Sequence, residues 1–252
     1  NVDVAAASRR GIPVTNAPGR NAQAVAELTI AFALMLVRGV PASARYLVDG
    51  GQLAENTYEG SEFIGSEAAR MTLGLVGLGN VGREVAARGR VLGFTMLGYD
   101  PVRPATVPPG VTMVTLDDLL SHSGLISLHA RATPDNWHLL GAAAFARMPR
   151  GAFFINTARE SLVDEEALAA ALTSHTLAGA ALDVVKRPPD GDRHPLLDLP
   201  NVIITPHIGG ATWETLQRGA EMTASAVARL ASGEIPDHLV NPEVLAQKEV
   251  AP

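Results

Sequence analysis

The 252-residue chain contains no cysteine, and only 4% of its residues are aromatic. The lack of cysteine excludes disulfide bonds, thiolate metal sites and cysteine nucleophiles. Charged residues make up only 18% of the chain and form no run of like charges, so extensive disorder and a charged tail are not expected. The net charge of −6 argues against nucleic acid as a partner, because phosphate binding requires a basic surface.

The chain also lacks a hydrophobic run long enough to span a bilayer. The most apolar stretch covers residues 28–37 and lies between Glu27 and Arg38, as a buried helix would. No signal peptide opens the sequence, so we expect a cytoplasmic protein without a membrane partner. Because Asn1 rather than methionine comes first, we expect the sequence to start within a longer gene product.

The middle of the chain alternates short apolar segments with helical patterns. Six segments are apolar on both faces, as the strands of a buried parallel sheet are: 72–76, 94–99, 125–128, 152–156, 178–182 and 202–205. The helices predicted between them cover 81–92, 116–122, 142–148 and 164–173. This alternation predicts an α/β fold with a doubly wound parallel sheet, a Rossmann-type domain that binds a dinucleotide.

Two longer helices are predicted on either side of this unit, at about residues 22–38 and 212–231. Gly233 is a plausible C-cap of the second helix. A short strand is predicted over residues 12–16, and the tail after the second helix has no clear element.

A glycine-rich sequence, Gly77-Leu78-Gly79-Asn80-Val81-Gly82, joins the first strand to the next helix. It is a GxGxxG pattern in the strand–turn–helix context that dinucleotide binding requires. Gly77 permits the tight turn, Gly79 lets the backbone approach a pyrophosphate, and Gly82 lets the helix pack on the strand. The helix start offers free N–H groups to the phosphates. A glycine-rich turn without a ligand is the alternative for this motif taken alone.

Asp100 ends the next strand, eighteen residues after Gly82. A carboxylate there can accept hydrogen bonds from both ribose hydroxyls of NAD and would repel the extra phosphate of NADP. The alternative is that Asp100 only forms the turn before Pro101. Since Arg103 lies close in sequence and can tolerate a phosphate, we expect NAD and leave NADP open.

Three polar segments follow the later strands, at the edge where such sheets bind ligands. Arg159 offers a planar guanidinium that can hold a carboxylate through two hydrogen bonds. His207 can give or take a hydroxyl proton, and Asp183 can orient a nicotinamide carboxamide. Each also has a structural alternative: a surface ion pair for Arg159, a cap for His207 and a turn for Asp183. Their occurrence together favours hydride transfer to a carbonyl.

A set of short motifs, spread over residues 1 to about 215, matches one family. They are Asn1-Val2-Asp3, Val14 to Gly19, Asn21-Ala22 with Val25-Ala26-Glu27, the glycine loop, Tyr99-Asp100-Pro101, Ser127-Leu128-His129, Asn156 to Arg159, Val163-Asp164-Glu165, Leu182-Asp183-Val184, His194-Pro195-Leu196 and Thr205 to Gly210. Through these motifs the chain resembles the D-isomer-specific 2-hydroxyacid dehydrogenases, the family that includes D-3-phosphoglycerate dehydrogenase.

The resemblance implies an NAD-dependent enzyme that interconverts a small D-2-hydroxy acid and its 2-keto acid. Arg159 matches the family's substrate-binding arginine and His207 its acid/base histidine. The expected cofactor contacts are Gly77, Gly79, Asn80, Val81, Gly82, Asp100, His129, Ala130, Thr157, Ala158, Arg159, Asp183, His207, Gly209 and Gly210. The sequence has no cluster of metal ligands, and the reaction needs no metal.

The resemblance also implies a second, flavodoxin-like substrate domain, of which this chain would hold only remnants. Residues 1–20 would end that domain, 21–210 would form the NAD-binding domain with its leading interdomain helix, and 211–252 would return to the substrate domain. The family's interdomain helix contributes to a homodimer interface. The apolar face of the corresponding helix here comprises Val25, Leu28, Thr29, Phe32 and Leu36. Packing within the chain would account for that face equally well.

The chain departs from the family pattern at Pro188, the position of the catalytic glutamate five residues after Asp183. In the family this carboxylate pairs with the histidine and keeps it protonated for ketoacid reduction. Without it His207 would more often be neutral at pH 7, although it can still act as a base for oxidation. We therefore expect an impaired or acid-shifted reductase, unless a nearby carboxylate substitutes. The candidates are Glu160, Asp190 and Asp192.

A smaller departure is Arg131, where the family more often has proline; a solvated side chain is expected there. Two alternative functions stay open. The first is a catalytically impaired NAD(H)-binding relative, for which Pro188 is the main support. The second is a different enzyme on the same fold, such as a formate or phosphite oxidiser.

Overall fold

The computed structural model describes residues 2–53, 63–102, 104–188 and 191–246. The chain packs as two compact units. The larger unit is Ala22–Gly210, and the smaller unit combines Asn1–Asn21 with Ala211–Pro252.

The larger unit is built on a seven-stranded parallel sheet. Its strands are β1 (Thr72–Val76), β2 (Thr95–Tyr99), β3 (Val111–Met113), β4 (Leu125–Leu128), β5 (Ala152–Asn156), β6 (Leu177–Leu182) and β7 (Val202–Ile204). Their order in the sheet is β3-β2-β1-β4-β5-β6-β7, and every neighbouring pair is parallel. The strand order reverses between β1 and β4, which opens a crevice at their carboxyl ends. The predicted doubly wound fold is therefore confirmed.

The described residues form nine α-helices, six in the larger unit and three in the smaller unit. They are α1 (Val4–Arg9), α2 (Ala22–Val37), α3 (Val40–Val48), α4 (Asn80–Val91), α5 (Leu116–His122), α6 (Ala142–Arg147), α7 (Glu165–Thr173), α8 (Trp213–Ala231) and α9 (Glu243–Ala246). In the described part of the chain, no single helix is long and apolar enough to cross a membrane. Helices α2 and α3 reach that length and composition only as a pair, which is bent by 66°.

The sheet is buried on both faces, as its apolar strands predict. In β5, Phe154 and Ile155 are consecutive and both fully buried, so they pack into opposite layers. Phe154 meets Phe145 of α6 edge to face, with ring centroids 5.6 Å apart. Ile155 belongs to the layer formed with α2 and α4, which includes Phe32 and Val85. Helix α2 is thus a core helix, and of its predicted apolar face only Leu28 is partly exposed.

Two expectations about the larger unit were incomplete. The strand β3 was not predicted, because it has only three residues, all at least partly exposed, at the edge of the sheet. Helix α3 was also missed. It begins after Gly39, whose φ of 62° marks a break directly after α2.

In the smaller unit, the predicted strand over residues 12–16 is wrong. Only one bridge forms there, between Thr15 and Leu239. The Asn241 side chain adds to this backbone pairing: its amide oxygen accepts from Val14 N–H at 2.7 Å, and its amide nitrogen donates to Ile12 C=O at 2.9 Å. The tail expected to lack structure contains this residue and α9.

Helix α8 of the smaller unit agrees with its sequence signals. Thr212 caps its start by accepting a hydrogen bond from the backbone N–H of Thr215. Gly233, beyond the end of α8, has a φ of 77°. This left-handed conformation after a helix is one that glycine adopts without steric cost.

Candidate active site

The glycine loop connects β1 to α4 at the crevice. Gly77 has a φ of 101°, and a Cβ atom there would lie 2.7 Å from the backbone nitrogen of Ala130. A Cβ atom at Gly82 would collide with the carbonyl oxygen of Gly77. Both glycines are therefore required by packing within the protein.

Gly79 differs from these two glycines, because a Cβ atom there would meet nothing within 4 Å. It is the N-cap of α4 and gives the helix no side-chain cap, so the first N–H groups of α4 remain available. An open backbone approach beside free N–H groups is the arrangement that a pyrophosphate needs. The loop thus fits a dinucleotide.

Asp100 links the end of β2 to this loop. Its Oδ2 accepts a hydrogen bond from the backbone N–H of Leu78 at 2.8 Å, and its Oδ1 accepts one from Val102 at 3.0 Å. Each carboxylate oxygen keeps lone-pair capacity for a ribose hydroxyl. Arg103, the residue that left NADP open, lies outside the described residues.

His129 and Ala130 follow β4 and form the other wall of the loop. The backbone of both residues lies against Gly77. The His129 Nε2 lies 2.9 Å from the hydroxyl of Ser127, and its Nδ1 is buried with no hydrogen-bond partner in the described part of the chain. Burial lowers the pKa of His129 to about 3. The ring is therefore neutral at physiological pH.

The loop after β5 carries Arg159 and is held by two buried polar residues. The Asn156 side chain accepts a hydrogen bond from the N–H of Ala158 and donates one to the carbonyl of Arg159, both at 2.9 Å. The hydroxyl of Thr157 lies 3.0 Å from that of Thr29 in α2. The exposed Arg159 guanidinium donates to its neighbour's carbonyl, and among the described residues it forms no ion pair. It can still receive a carboxylate.

The loop after β7 carries His207 and is held by Asp183 at the end of β6. Asp183 is only 2% exposed. Its Oδ1 accepts from the Thr205 hydroxyl at 2.6 Å and from Ile208 N–H at 2.7 Å, while Oδ2 accepts from Gly209 N–H at 2.7 Å. Between these contacts, His207 is exposed and has a φ of 59°. The nicotinamide carboxamide that was predicted to contact Asp183 would therefore have to donate to Oδ2 alongside the N–H group of Gly209.

The register of the sheet brings these loops side by side. Asn156 pairs with Leu182, and Leu182 pairs with Ile204, so β5, β6 and β7 end at the same level. The loops with Arg159, Asp183 and His207 therefore leave neighbouring strands at one edge. A guanidinium and an imidazole at this edge can bind a carboxylate and move a proton next to a bound dinucleotide.

Sequence reasoning gave no role to Glu165, which fastens the loop that follows β6. Its Oε1 accepts from Lys186 N–H at 2.7 Å, and its Oε2 lies 3.1 Å from Nε2 of the buried His194. Glu165 and His194 both stand in motifs of the family, but a contact between residues 29 positions apart leaves no local signal in the sequence. The contact between Thr29 and Thr157 does have a signal in the sequence, because Thr29 is a polar residue in the apolar face of α2.

Pro188 lies in this fastened loop and supplies no carboxylate. Of the candidates to replace it, Glu160 and Asp192 are exposed, and neither is hydrogen-bonded to His207. Asp190 lies outside the described residues. Within the described ranges, no group of three His, Asp or Glu side chains could hold a metal ion.

Comparison with known proteins agrees with this geometry. Residues 30–209 match the NAD-binding domain of the D-isomer-specific 2-hydroxyacid dehydrogenases. A glyoxylate reductase of Korarchaeum cryptofilum is 38% identical over 247 residues, which are 97% of this chain and 74% of that protein. A D-3-phosphoglycerate dehydrogenase of Methanocaldococcus jannaschii is 35% identical over 253 residues, 99% of this chain and 47% of that protein.

Among solved structures, that of a D-lactate dehydrogenase with NAD+ from Lactobacillus jensenii has a TM-score of 0.86 and is 29% identical. The match covers 95% of this chain and 74% of that one. The chain thus spans about three quarters of some relatives and about half of others. It belongs to the D-isomer-specific 2-hydroxyacid dehydrogenase family and is an NAD-dependent oxidoreductase.

Proposed function

We propose that the protein interconverts a D-2-hydroxy acid and its 2-keto acid, with Arg159 holding the substrate carboxylate and His207 as the acid/base residue. One observation carries the proposal. The buried Asp183 carboxylate fixes the loop of His207 at the strand end next to the loop of Arg159. Two groups with complementary chemistry are thus held by separate buried anchors at one edge of the sheet.

NAD supplies or takes the hydride when it is bound. Arg159 binds the substrate carboxylate through two parallel hydrogen bonds, which fixes the carbon that reacts. During oxidation, His207 takes the proton from the substrate hydroxyl. During reduction, it returns that proton to the carbonyl oxygen.

The proposed cofactor contacts follow the crevice from the glycine loop to the His207 loop. Asp100 receives the adenosine ribose, and the first N–H groups of α4, at Asn80 and Val81, receive the pyrophosphate. The remaining proposed contacts are Gly77, Gly79, Gly82, His129, Ala130, Thr157, Ala158, Arg159, Asp183, His207, Gly209 and Gly210.

Pro188 favours a second candidate, a catalytically impaired NAD(H)-binding relative. The family's glutamate position holds no carboxylate here, and neither Glu160 nor Asp192 forms a hydrogen bond or ion pair with His207 among the described residues. Retention of both Arg159 and His207 favours an active enzyme.

Turnover distinguishes the two candidates. NADH oxidation by the full-length protein should be followed with a panel of 2-keto acids, with NADH binding measured separately by fluorescence. We expect turnover of at least one acid, and Arg159→Lys should raise the KM for that acid about tenfold or more at saturating NADH. Arg150→Lys, at the opposite ends of the strands, is the matched control. NADH binding without turnover of any acid would instead support the impaired relative.

We further propose that residues 1–20 and 211–252 belong to a substrate domain, that 21–210 form the cofactor domain, and that the protein is a homodimer. Sedimentation of the full-length protein tests the oligomeric state. A monomer at micromolar concentration would contradict that part of the proposal.

A further inference from the structure

A cavity of about 310 Å³ lies on the outer face of α4, away from the loops of Arg159 and His207. One wall is the helix face formed by Arg83, Ala87 and Arg90, and the other wall is the segment 106–109. The described residues that line this cavity include two guanidinium groups and one hydroxyl, and none of them carries a carboxylate. This is a local positive site in a chain whose net charge is −6.

The two arginines are placed by the fold. The spacing of Arg83 and Arg90, seven residues apart, puts both on one side of α4. The Arg83 Nε donates to the carbonyl of Leu78 at 3.0 Å, which leaves its terminal N–H groups available. The stem of Arg90 lies against Gly110, where an added Cβ would approach it to 2.7 Å. Within the described ranges, neither guanidinium has an ion-pair partner.

This combination suits a phosphate group carried by a small organic molecule. Guanidinium groups bind phosphate oxygens through paired, charge-assisted hydrogen bonds, and the hydroxyl of Thr106 can add another. Ala87 and the rings of Pro108 and Pro109 offer apolar contact to the rest of the molecule. We propose that this cavity is a phosphomonoester site beside the cofactor loop.

The site is connected to the adenosine end of the NAD crevice. Leu78 accepts from Arg83 through its carbonyl and donates to Asp100 through its N–H. The phosphate can come from two sources: a separate phosphate ester, or the 2′-phosphate of a dinucleotide. The carboxylate of Asp100 disfavours a 2′-phosphate at the ribose, which favours a separate ester.

Calorimetric titration of the NADH-saturated, full-length protein with inorganic phosphate at constant ionic strength tests the proposal. Saturating NADH keeps phosphate out of the glycine loop. We expect saturable binding that Arg90→Gln weakens about tenfold or more and Thr106→Val weakens less. Arg150→Gln, an exposed arginine at the amino end of β5, should leave binding unchanged. Thermal melting checks that each variant is folded.

The absence of saturable binding would overturn the proposal, and so would equal binding by the Arg90→Gln and Arg150→Gln proteins. The affinity for NADPH identifies the source of the phosphate. If Arg90→Gln weakens NADPH but not NADH, the 2′-phosphate occupies the site. If phosphate still binds to the NADPH-saturated protein, a separate ester is the ligand.

Discussion

The Oδ2 atom of Asp183 lies 2.7 Å from the backbone nitrogen of Gly209, and its Oδ1 atom accepts from the next backbone N–H toward His207. Asp183 therefore determines the path of the loop that carries His207, in addition to any contact with the cofactor. The His207 backbone is left-handed, a conformation that costs a non-glycine residue about 1 kcal/mol or more and needs such support.

Asp183→Asn is expected to misplace His207. The NH2 group of the new amide would face the backbone N–H of Ile208 or Gly209, and two donors cannot form a hydrogen bond. We predict an unfolding free energy lower by about 1–3 kcal/mol and a kcat reduced about 100-fold. Chemical denaturation and steady-state kinetics measure the two effects. Asp49→Asn, at an exposed ion pair with Arg45, is the matched control. An unchanged kcat in Asp183→Asn would show that the loop holds its position without the carboxylate.

Substitutions at two glycines of the cofactor loop should affect NADH affinity and protein stability separately. Gly79→Ala places a methyl group in open space, so stability should be retained while NADH affinity falls about tenfold or more. Gly82→Ala places the methyl group against the carbonyl of Gly77 and should lower stability by about 1–3 kcal/mol. Fluorescence titration with NADH and thermal melting test both variants. Equal NADH affinity in Gly79→Ala and the parent would place the pyrophosphate elsewhere.

Asp100 should determine the preference between NAD and NADP. Asp100→Ala removes the acceptor for the ribose hydroxyls and the bond to Leu78 N–H. We expect NADH to bind about tenfold more weakly and NADPH to lose less, because the repulsion of its phosphate is removed as well. Parallel titrations with the two dinucleotides give the ratio. An unchanged ratio would mean that Asp100 only shapes the loop.

Because of His129, the free energy of unfolding should decrease as the pH falls. Its pKa is lowered from 6.5 to about 3 by burial, so between these pH values the unfolded chain binds a proton that the folded protein does not. Stability therefore falls as the pH drops below 6.5 and gains nothing from this residue above it. Because His129 as a whole residue keeps some solvent exposure although its Nδ1 atom is buried, we expect a loss of only about 1 kcal/mol between pH 6.5 and 5.

Urea denaturation of the parent and of His129→Gln at both pH values measures this difference. The variant should lose less stability than the parent over the same interval. Equal slopes in the two proteins would show that the imidazole is protonated in the folded state.

Pro188→Glu restores the carboxylate at the family's position. The parent should reduce 2-keto acids faster toward acidic pH, because reduction consumes a proton, and the variant should give a flatter profile. Rates of NADH oxidation from pH 5 to 9 provide the comparison. Identical profiles would indicate that another carboxylate already serves His207.

The strands and helices between residues 72 and 204 could be predicted because their burial follows from local sequence. Phe154 and Ile155 belong to a short apolar run between two helical patterns, which favours a buried strand. The exposed edge strand β3 is an exception because it has no such run. The segment 12–16 pairs with the distant residues 238–241, through the backbone and the Asn241 side chain, without forming a strand. For the site, residue types and strand ends were predictable. The three donors to Asp183 were not, since they depend on where β7 ends beside β6.

The most direct test of the proposed reaction is the kcat for 2-keto acid reduction by the full-length His207→Asn protein at saturating NADH. If His207 supplies the proton, kcat should fall about 100-fold or more even at an NADH concentration that saturates the variant. A kcat within about threefold of the parent would contradict the assignment of His207 as the acid/base residue.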